Sequence, residues 1–471
     1  MTEGVVVGAG PNGLAAAVTL ALRGVRVTVY EAADTIGGGT RTTERLAPGL
    51  LHDDCSAVHP MGVASPFFRS LDLAAHGLEW CYPEIDLAHP LDDAVAAVFV
   101  RSLEQTAGRL GPDGRAWAKL FGPIADRFDD IAAEVLRPIA HLPRHPIALA
   151  GFGIGALAPA TLTARRWRTD QARALFTGVA AHAYYPLTRP TTAAAGLLML
   201  GAGHRYGWPV AKGGSRAVTD ALASLLRAHG GRIETGRRVR SLGELPRADV
   251  TLLDLSPTGV ADLAGDLLPG RVARAYRRFR YGPAAFKLDL AVEGGVPWRD
   301  PACRRAGTVH VGGTLEEITA AERDVHRGRM PERPFVLVAQ QYLADPSRSA
   351  GDVHPVWAYA HVPHGYPGDA TEAILRQLER FAPGVRDRIV GAFARSATEM
   401  PRYNPNYVGG DIASGANDPV QMLSRPRIAL DPYSTGIPGV YICSASTPPG
   451  GGVHGMGGHN AALSALRRLQ R

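Results

Sequence analysis

Lysine is almost missing from this 471-residue chain. Only Lys119, Lys212 and Lys287 occur, so arginine supplies the other 48 of the 51 basic residues. The arginines are scattered and set against 44 acids, for a net charge of +7, and they form no nucleic-acid tract. Cysteine is scarce too. Cys55, Cys81, Cys303 and Cys443 show neither C-x-x-C nor metal-ligand spacing. That argues against a disulfide framework, a zinc site and dithiol chemistry, and fits a reducing, cytoplasmic setting. Long apolar runs are few. Residues 146–164 (PIALAGFGIGALAPATLTA) carry no charge over a length that could span a bilayer. Pro159 and three glycines interrupt that run, so a buried or interfacial segment is expected instead. The cluster Arg165-Arg166-Trp167-Arg168 follows directly. It reads either as a solvated face or as a peripheral membrane contact.

Hydrophobic content of 45% and charged content of 20% describe a globular protein with length for two domains. Its most specific stretch is GVVVGAGPNGLAAAVTLALRGVRVTVYEA. Val5 to Val7 predict a buried strand, Gly8-Ala9-Gly10-Pro11-Asn12-Gly13 follows as G-x-G-x-x-G, and Leu14 to Leu22 predict a helix. A second strand, Val25 to Tyr30, ends at Glu31. Gly8 permits the tight turn, Gly10 admits a pyrophosphate, and Gly13 lets helix and strand pack closely. The helix N-terminus offers free N–H groups to phosphate, and Glu31 suits ribose hydroxyls. No secretory leader is expected, because the first strand runs straight into this motif. Gly151-Phe-Gly153-Ile-Gly155-Ala156 is only superficially similar, lacking the strand before and the acid after. No dedicated NAD(P)H domain is therefore read.

Further along, Ala211 to Leu242 predicts a Gly-Gly turn, a helix, a strand at Arg232 to Thr235 and another at Val239. Ala248 to Leu255 predicts one more buried strand. In YGPAAFKLDLAVEGGVPWRD, residues 284–292 alternate, with Phe286, Leu288 and Leu290 on one face and Lys287 and Asp289 on the other. A solvated strand face is the plain reading. Near the C-terminus, PPGGGVHGMGGHNAA lies between a predicted strand, Gly439 to Ala445, and a helix from Asn460. His459 reads as a helix-start residue.

These motifs resemble a known family. Gly37-Gly38-Gly39-Thr40-Arg41 after Glu31 is similar to the second fingerprint of the flavin amine oxidase and phytoene desaturase superfamily. SASTPPGGGVHGMGGHNAA, HRYGWP at 204–209, WAYAHVP at 357–363, FAPG at 381–384 and NPNYVGGD at 404–411 look like the phytoene desaturase-like members. Within these, the subgroup resembled is that of pyridine nucleotide-disulfide oxidoreductase domain-containing protein 2. The likeness covers nearly the whole chain. It implies an α/β fold: a Rossmann-type, glutathione-reductase-like FAD domain from 1–72, 206–271 and 403–471, with an inserted α+β substrate domain from 73–205 and 272–402.

The resemblance implies FAD held by Gly8, Gly10, Pro11, Asn12, Gly13, Glu31, Gly38, Gly39, Arg41, Val239, Gly451, Gly452, Val453, His454 and Gly455. The C-terminal glycines, Gly457 and Gly458 among them, would let backbone pass against the flavin, and the helix after them would aim its positive end at it. Lys287 would sit near the flavin ring as in amine oxidases, and His454 is a candidate proton donor. His182, Tyr184 and Tyr185 are candidate substrate contacts, with packing as the alternative. The implied activity is dehydrogenation of a hydrophobic molecule, an isoprenoid or polyene, by hydride transfer to flavin, with oxygen or a quinone as electron acceptor. Three alternatives stay open: an amine or amino-acid oxidase, a polyene reductase or isomerase, and a non-catalytic prenyl-binding protein. Aromatics at 7% are sparse for an amine-binding cage.

Overall fold

The computed structural model describes residues 2–469. Two sheets dominate it. In chain order their strands are β1 (Glu3–Val7), β2 (Arg26–Tyr30), β3 (Ile85–His89), β4 (Ala97–Phe99), β5 (Arg232–Glu234), β6 (Val250–Leu253), β7 (Ala284–Glu293), β8 (Ala306–Val311), β9 (Val336–Ala339), β10 (Val353–Val362), β11 (Ile389–Arg395) and β12 (Val440–Ile442). The first sheet has the order β12-β6-β1-β2-β5, and every pair in it is parallel. Its central strands are apolar on both faces, as a parallel sheet covered by helices requires. Val6, Val27, Val29 and Leu252 face α1 (Pro11–Ala21), the helix Arg216–Ala228 and the C-terminal helix Met456–Leu469. Val5, Val7, Leu253 and Ile442 face the helices Pro257–Ala264 and Gly270–Arg277.

The second sheet has the order β11-β7-β10-β9-β8-β3-β4 and is antiparallel except where β8 runs parallel to β3. Its two faces differ sharply. Phe286, Leu288, Leu290, Val309, Val336, Val338, Val356 and Ala358 share an apolar core with Ile374, Leu378 and Phe381 of the helix Thr371–Phe381. The pairing places Lys287, Tyr359, Leu337 and His310 in one row of the opposite face, and Asp289, Trp357, Ala339 and Thr308 in the next. The solvated face expected for Lys287 and Asp289 is therefore corrected. Both are buried at 1% exposure and ion-paired, because other elements cover that face as well.

Two further expectations change. Residues 237–240 form no strand, so Val239 lies in irregular backbone after β5. The last helix starts at Met456, which puts His459 inside it, bonded to Thr19 and stacked on Phe67. The 146–164 stretch breaks at Pro159, as its composition suggests, into the helices Pro146–Ala156 and Ala160–Ala164. Among the described residues, no helix is long and apolar enough to cross a membrane.

A buried ionic knot ties distant segments together beside these sheets. Arg348 is fully buried and donates to Asp53, Asp345 and the carbonyl of Ala211. Asp53 also accepts from the Ser215 N–H and the Thr42 hydroxyl, each at 2.7 Å. Burial alone would raise the Asp53 carboxyl. The Arg348 charge and these donors outweigh it and hold the carboxyl below its usual range. Removing one partner of such a pair strands the other charge, at a cost of about 3–5 kcal/mol. Arg348→Met is therefore expected to lower the unfolding free energy by that amount, read as a fall in the urea midpoint at unchanged slope. In the wild type, the contribution of Asp53 is present above its unfolded value of about 3.9 and lost as pH falls through the lower folded value. Acid unfolding of the wild type followed by circular dichroism checks this.

Candidate functional site

A cavity of about 1640 Å³ runs from the glycine loop of the first sheet to the polar face of the second. That is larger than the ~300–1,000 Å³ of ordinary small-molecule sites, and leaves room for a dinucleotide with a second molecule beside it. Gly8, Gly10, Pro11, Asn12, Glu31, Gly38, Gly39, Arg41, Val239, Gly451, Gly452, Val453 and His454 all line it, as do His182 and Tyr184. Gly13, Gly455, Lys287 and Tyr185 do not.

At one end two glycine turns meet. A Cβ on Gly13 would lie 2.0 Å from the Gly8 carbonyl oxygen, and one on Gly38 would lie 3.1 Å from Gly10 Cα. Only glycines allow this double cradle, and α1 begins at Pro11 with its N-terminus toward it. The Glu31 carboxylate accepts from the Ala9 N–H at 2.8 Å and the Ala33 N–H at 2.9 Å, and pairs with Arg41 at 3.3 Å. Glu31 thus shapes the loop while keeping lone pairs for a ligand's hydroxyls. Arg41 also donates to the carbonyls of Thr35 and Gly38. The residues present fit an FAD pyrophosphate and ribose: a cradle that a Cβ would fill, helix N–H groups, a guanidinium and a carboxylate.

The C-terminal glycines divide into two jobs. Residues 450–454 line the cavity. Gly457 and Gly458 do not. A Cβ on Gly458 would sit 1.8 Å from the Asn12 carbonyl oxygen, so this glycine serves helix packing against α1 and not a flavin. His454 is buried. Its Nδ1 accepts from the Met456 N–H at 3.1 Å, capping the last helix, and burial pushes the ring down to about 4. It is a neutral imidazole whose Nε2 carries the hydrogen.

The opposite end is built from the second sheet and its insertions. Thr308, Leu337, Trp357 and Tyr359 project into it from β8, β9 and β10, facing His182 and Tyr184. Tyr184 sits in left-handed backbone, φ 50°, and its ring lies parallel to Tyr359 with centroids 6.4 Å apart. His182 Nδ1 donates to the Val179 carbonyl at 3.0 Å, so Nε2 holds the lone pair. Burial lowers this ring to about 4, and it is neutral. Lys287 lies one layer behind, paired with Asp289, its Nζ 4.8 Å from the Trp357 ring centroid. It is not part of the cavity lining, to which its neighbours Trp357 and Tyr359 belong, so the lining does not support the expected place beside the flavin ring. Tyr185 packs against His326 outside the cavity.

Trp357 and Tyr359, part of a motif that carries the family resemblance, were not assigned to the site from sequence, nor were Thr308 and Asp254; all four line the cavity. Alternation in WAYAH at 357–361 was the available signal for the first two. Asp254 was visible as the acid closing β6.

Glu31→Ala is expected to weaken FAD binding about ten- to hundredfold while leaving the unfolding midpoint near wild type, since charge-assisted bonds of this kind carry ~1.5–3 kcal/mol. Flavin fluorescence titration of apoprotein checks it. Gly13→Ala is expected to abolish FAD retention.

The family described as "NAD(P)-binding Rossmann-like domain" matches residues 6–72. The chain is 25% identical to rat pyridine nucleotide-disulfide oxidoreductase domain-containing protein 2 over 99% of its own length and 94% of the rat protein. It is 26% identical to phytoene dehydrogenase of Streptomyces griseus, covering 91% and 84% of the two chains. A putrescine oxidase structure with bound putrescine superposes with a TM-score of 0.61 at 18% identity, over 100% of this chain and 99% of that one, a likeness of fold. The chain is an FAD-dependent oxidoreductase, similar over most of its length to the rat and Streptomyces proteins and sharing the fold of the putrescine oxidase.

Proposed function

We propose that the protein dehydrogenates a hydrophobic small molecule, of the isoprenoid or polyene class, taken up from a lipid surface. The observation that carries this is the cavity mouth. Leu149, Phe152 and Ala156 of the helix Pro146–Ala156, Leu198 and Met199 of the helix Ala193–Tyr206, and Met422 of the helix Pro419–Ser424 line an apolar passage. Ile139, Leu157 and Leu423 belong both to this lining and to the outer surface. Around them Leu142, Ile147, Ile154, Val420, Ile428 and Leu430 stand exposed, Leu430 at 96%. Exposed apolar side chains in this number support an interaction surface here. Arg165, Arg166 and Arg168 on the neighbouring segment are exposed, which suits an anionic lipid surface. The Trp167 between them is core.

When bound, FAD supplies the hydride acceptor. Forming the double bond also releases a proton from the adjoining carbon, and the chain must take it. His182 supplies a neutral Nε2 lone pair on the cavity wall, and Thr308 and Tyr359 help fix the substrate chain against it. Electrons then leave to oxygen or a quinone.

A second reading, amine oxidation, is favoured by the parallel Tyr184 and Tyr359 rings. The lining carboxylates disfavour it. Among the described residues they are Glu31, Glu134, Asp254 and Asp262. Glu31 and Asp254 flank the glycine loop, and Asp262 is an exposed side chain paired with Arg277. Glu134 is occupied by His141 and by the N–H groups of Arg144 and His145.

Anaerobic bleaching of the flavin by isoprenoids, and not by amines or amino acids, is the expected result. Bleaching by amines alone would replace this reading with the second. His182→Gln is expected to lower kcat about 10²–10⁴-fold, as loss of a general base does, with FAD content unchanged. Ile154→Ser with Leu423→Ser is expected to reduce sedimentation with phosphatidylglycerol vesicles about tenfold, from the apolar area withdrawn. Phosphatidylcholine vesicles serve as the control.

A further inference from the structure

The dinucleotide end of the cavity holds a carboxyl group that the glycine fingerprint does not require. Asp254 follows β6, directly beneath the loop from Gly8 to Gly13. Its Oδ2 accepts from the Gly13 N–H at 2.9 Å, so it occupies one of the few donors that the start of α1 offers to an anion. The same oxygen lies so close to Gly10 that a Cβ there would meet it at 2.8 Å. Asp254 is buried, yet it lines the cavity. A second carboxylate, Glu31, holds the other side of the loop through the Ala9 N–H. An anionic pyrophosphate entering this cradle therefore meets an acid already seated at its helix.

We propose that Asp254 couples FAD binding to proton uptake: the protein holds the cofactor with this carboxyl neutral and releases its grip as the carboxyl ionises. The neighbours support a neutral form. Burial pushes Asp254 up to about 7, the Gly13 N–H works against that, and Glu31 adds to it. Just after β12, Cys443 is a thiol that burial, and then Asp254, raises well above its usual range. From the 404–407 segment Asn406 binds only its backbone carbonyl. Arg41 is spent on Glu31 and on carbonyls. No cation among these partners Asp254. His59, His182 and His454, which line the same cavity, are lowered to about 4 by burial and carry no charge above pH 6.

The sign follows from linkage. Phosphate charges raise the carboxyl further, so the bound state holds a proton that the free state loses above neutrality. FAD affinity is then constant on the acid side and falls as pH rises.

The test is titration of apoprotein with FAD from pH 6 to 9, followed by flavin fluorescence. The wild-type Kd is expected to be flat below about pH 6.5 and to rise about tenfold per pH unit above neutrality, the limit for one linked proton. Asp254→Asn, which keeps the acceptor for the Gly13 N–H, is expected to hold the low-pH affinity across the range. Calorimetry of the wild type in buffers of different ionisation heat needs no variant. It is expected to show uptake of close to one proton per FAD at pH 8 and almost none at pH 5.5. A wild-type Kd independent of pH, an unchanged slope in Asp254→Asn, or no proton uptake at pH 8 would each overturn the proposal. Failure to bind FAD even at pH 6 would overturn the cofactor assignment itself, and the proposal with it.

Discussion

The two-residue period of β7 to β10 is the constraint on which the cavity depends. Each strand sends one set of side chains into the apolar core beneath the helix Thr371–Phe381 and the other set toward the first sheet. Because the period is two, a register slip of one residue would bury Trp357 and Tyr359 in the wrong core and turn Ala358 and Ala360 toward the cavity. The apolar face thus holds the polar face in register. Lys287 and Asp289 show how strictly that register is kept. A buried ion pair gains little by itself, yet here it stands behind Trp357, where its ammonium meets the ring face.

The other wall obeys a different limit, the closeness of backbones. Gly13 against Gly8, Gly38 against Gly10 and Gly458 against Asn12 are all contacts that a single methyl group would prevent. They bring α1, the second glycine turn and the last helix to one point. The chain concentrates backbone N–H groups there without a lysine, and Arg41, the α1 N-terminus and the side chains of Glu31 and Asp254 surround that end of the cavity. The cavity is polar and fixed at this end, apolar and open to the surface at the other. Such a gradient suits a retained cofactor beside the hydrophobic substrate proposed above.

The first sheet was legible because its signals are local. Strand, glycine loop, helix, strand and acid follow one another within 30 residues, and each element's chemistry is written at its own position. The cofactor end of the site was readable for the same reason. The far end was readable only in part: His182 and Tyr184 were picked out as candidates, while their neighbours were not. Thr308, Tyr359 and His182 come from three separated segments, and nothing local to any of them says that they share a wall. Lys287 illustrates the gap: its alternation with apolar neighbours was plain, but whether water or protein covered that face depended on segments far away in the chain. Gly457 and Gly458 show the converse, where a glycine cluster read as one device serves two partners.

Sequence alone determined the parallel dinucleotide-binding sheet, the need for glycine at the cradle and the break of the 146–164 segment at Pro159, because each rests on backbone geometry or on periodicity within one element. Tertiary structure decided which face of the second sheet became the cavity wall, that Lys287 stands behind Trp357, that Asp254 sits under the phosphate loop, and that the apolar helices open the cavity to the surface. These depend on which distant segments exclude water from a given face, and a local pattern carries no record of that.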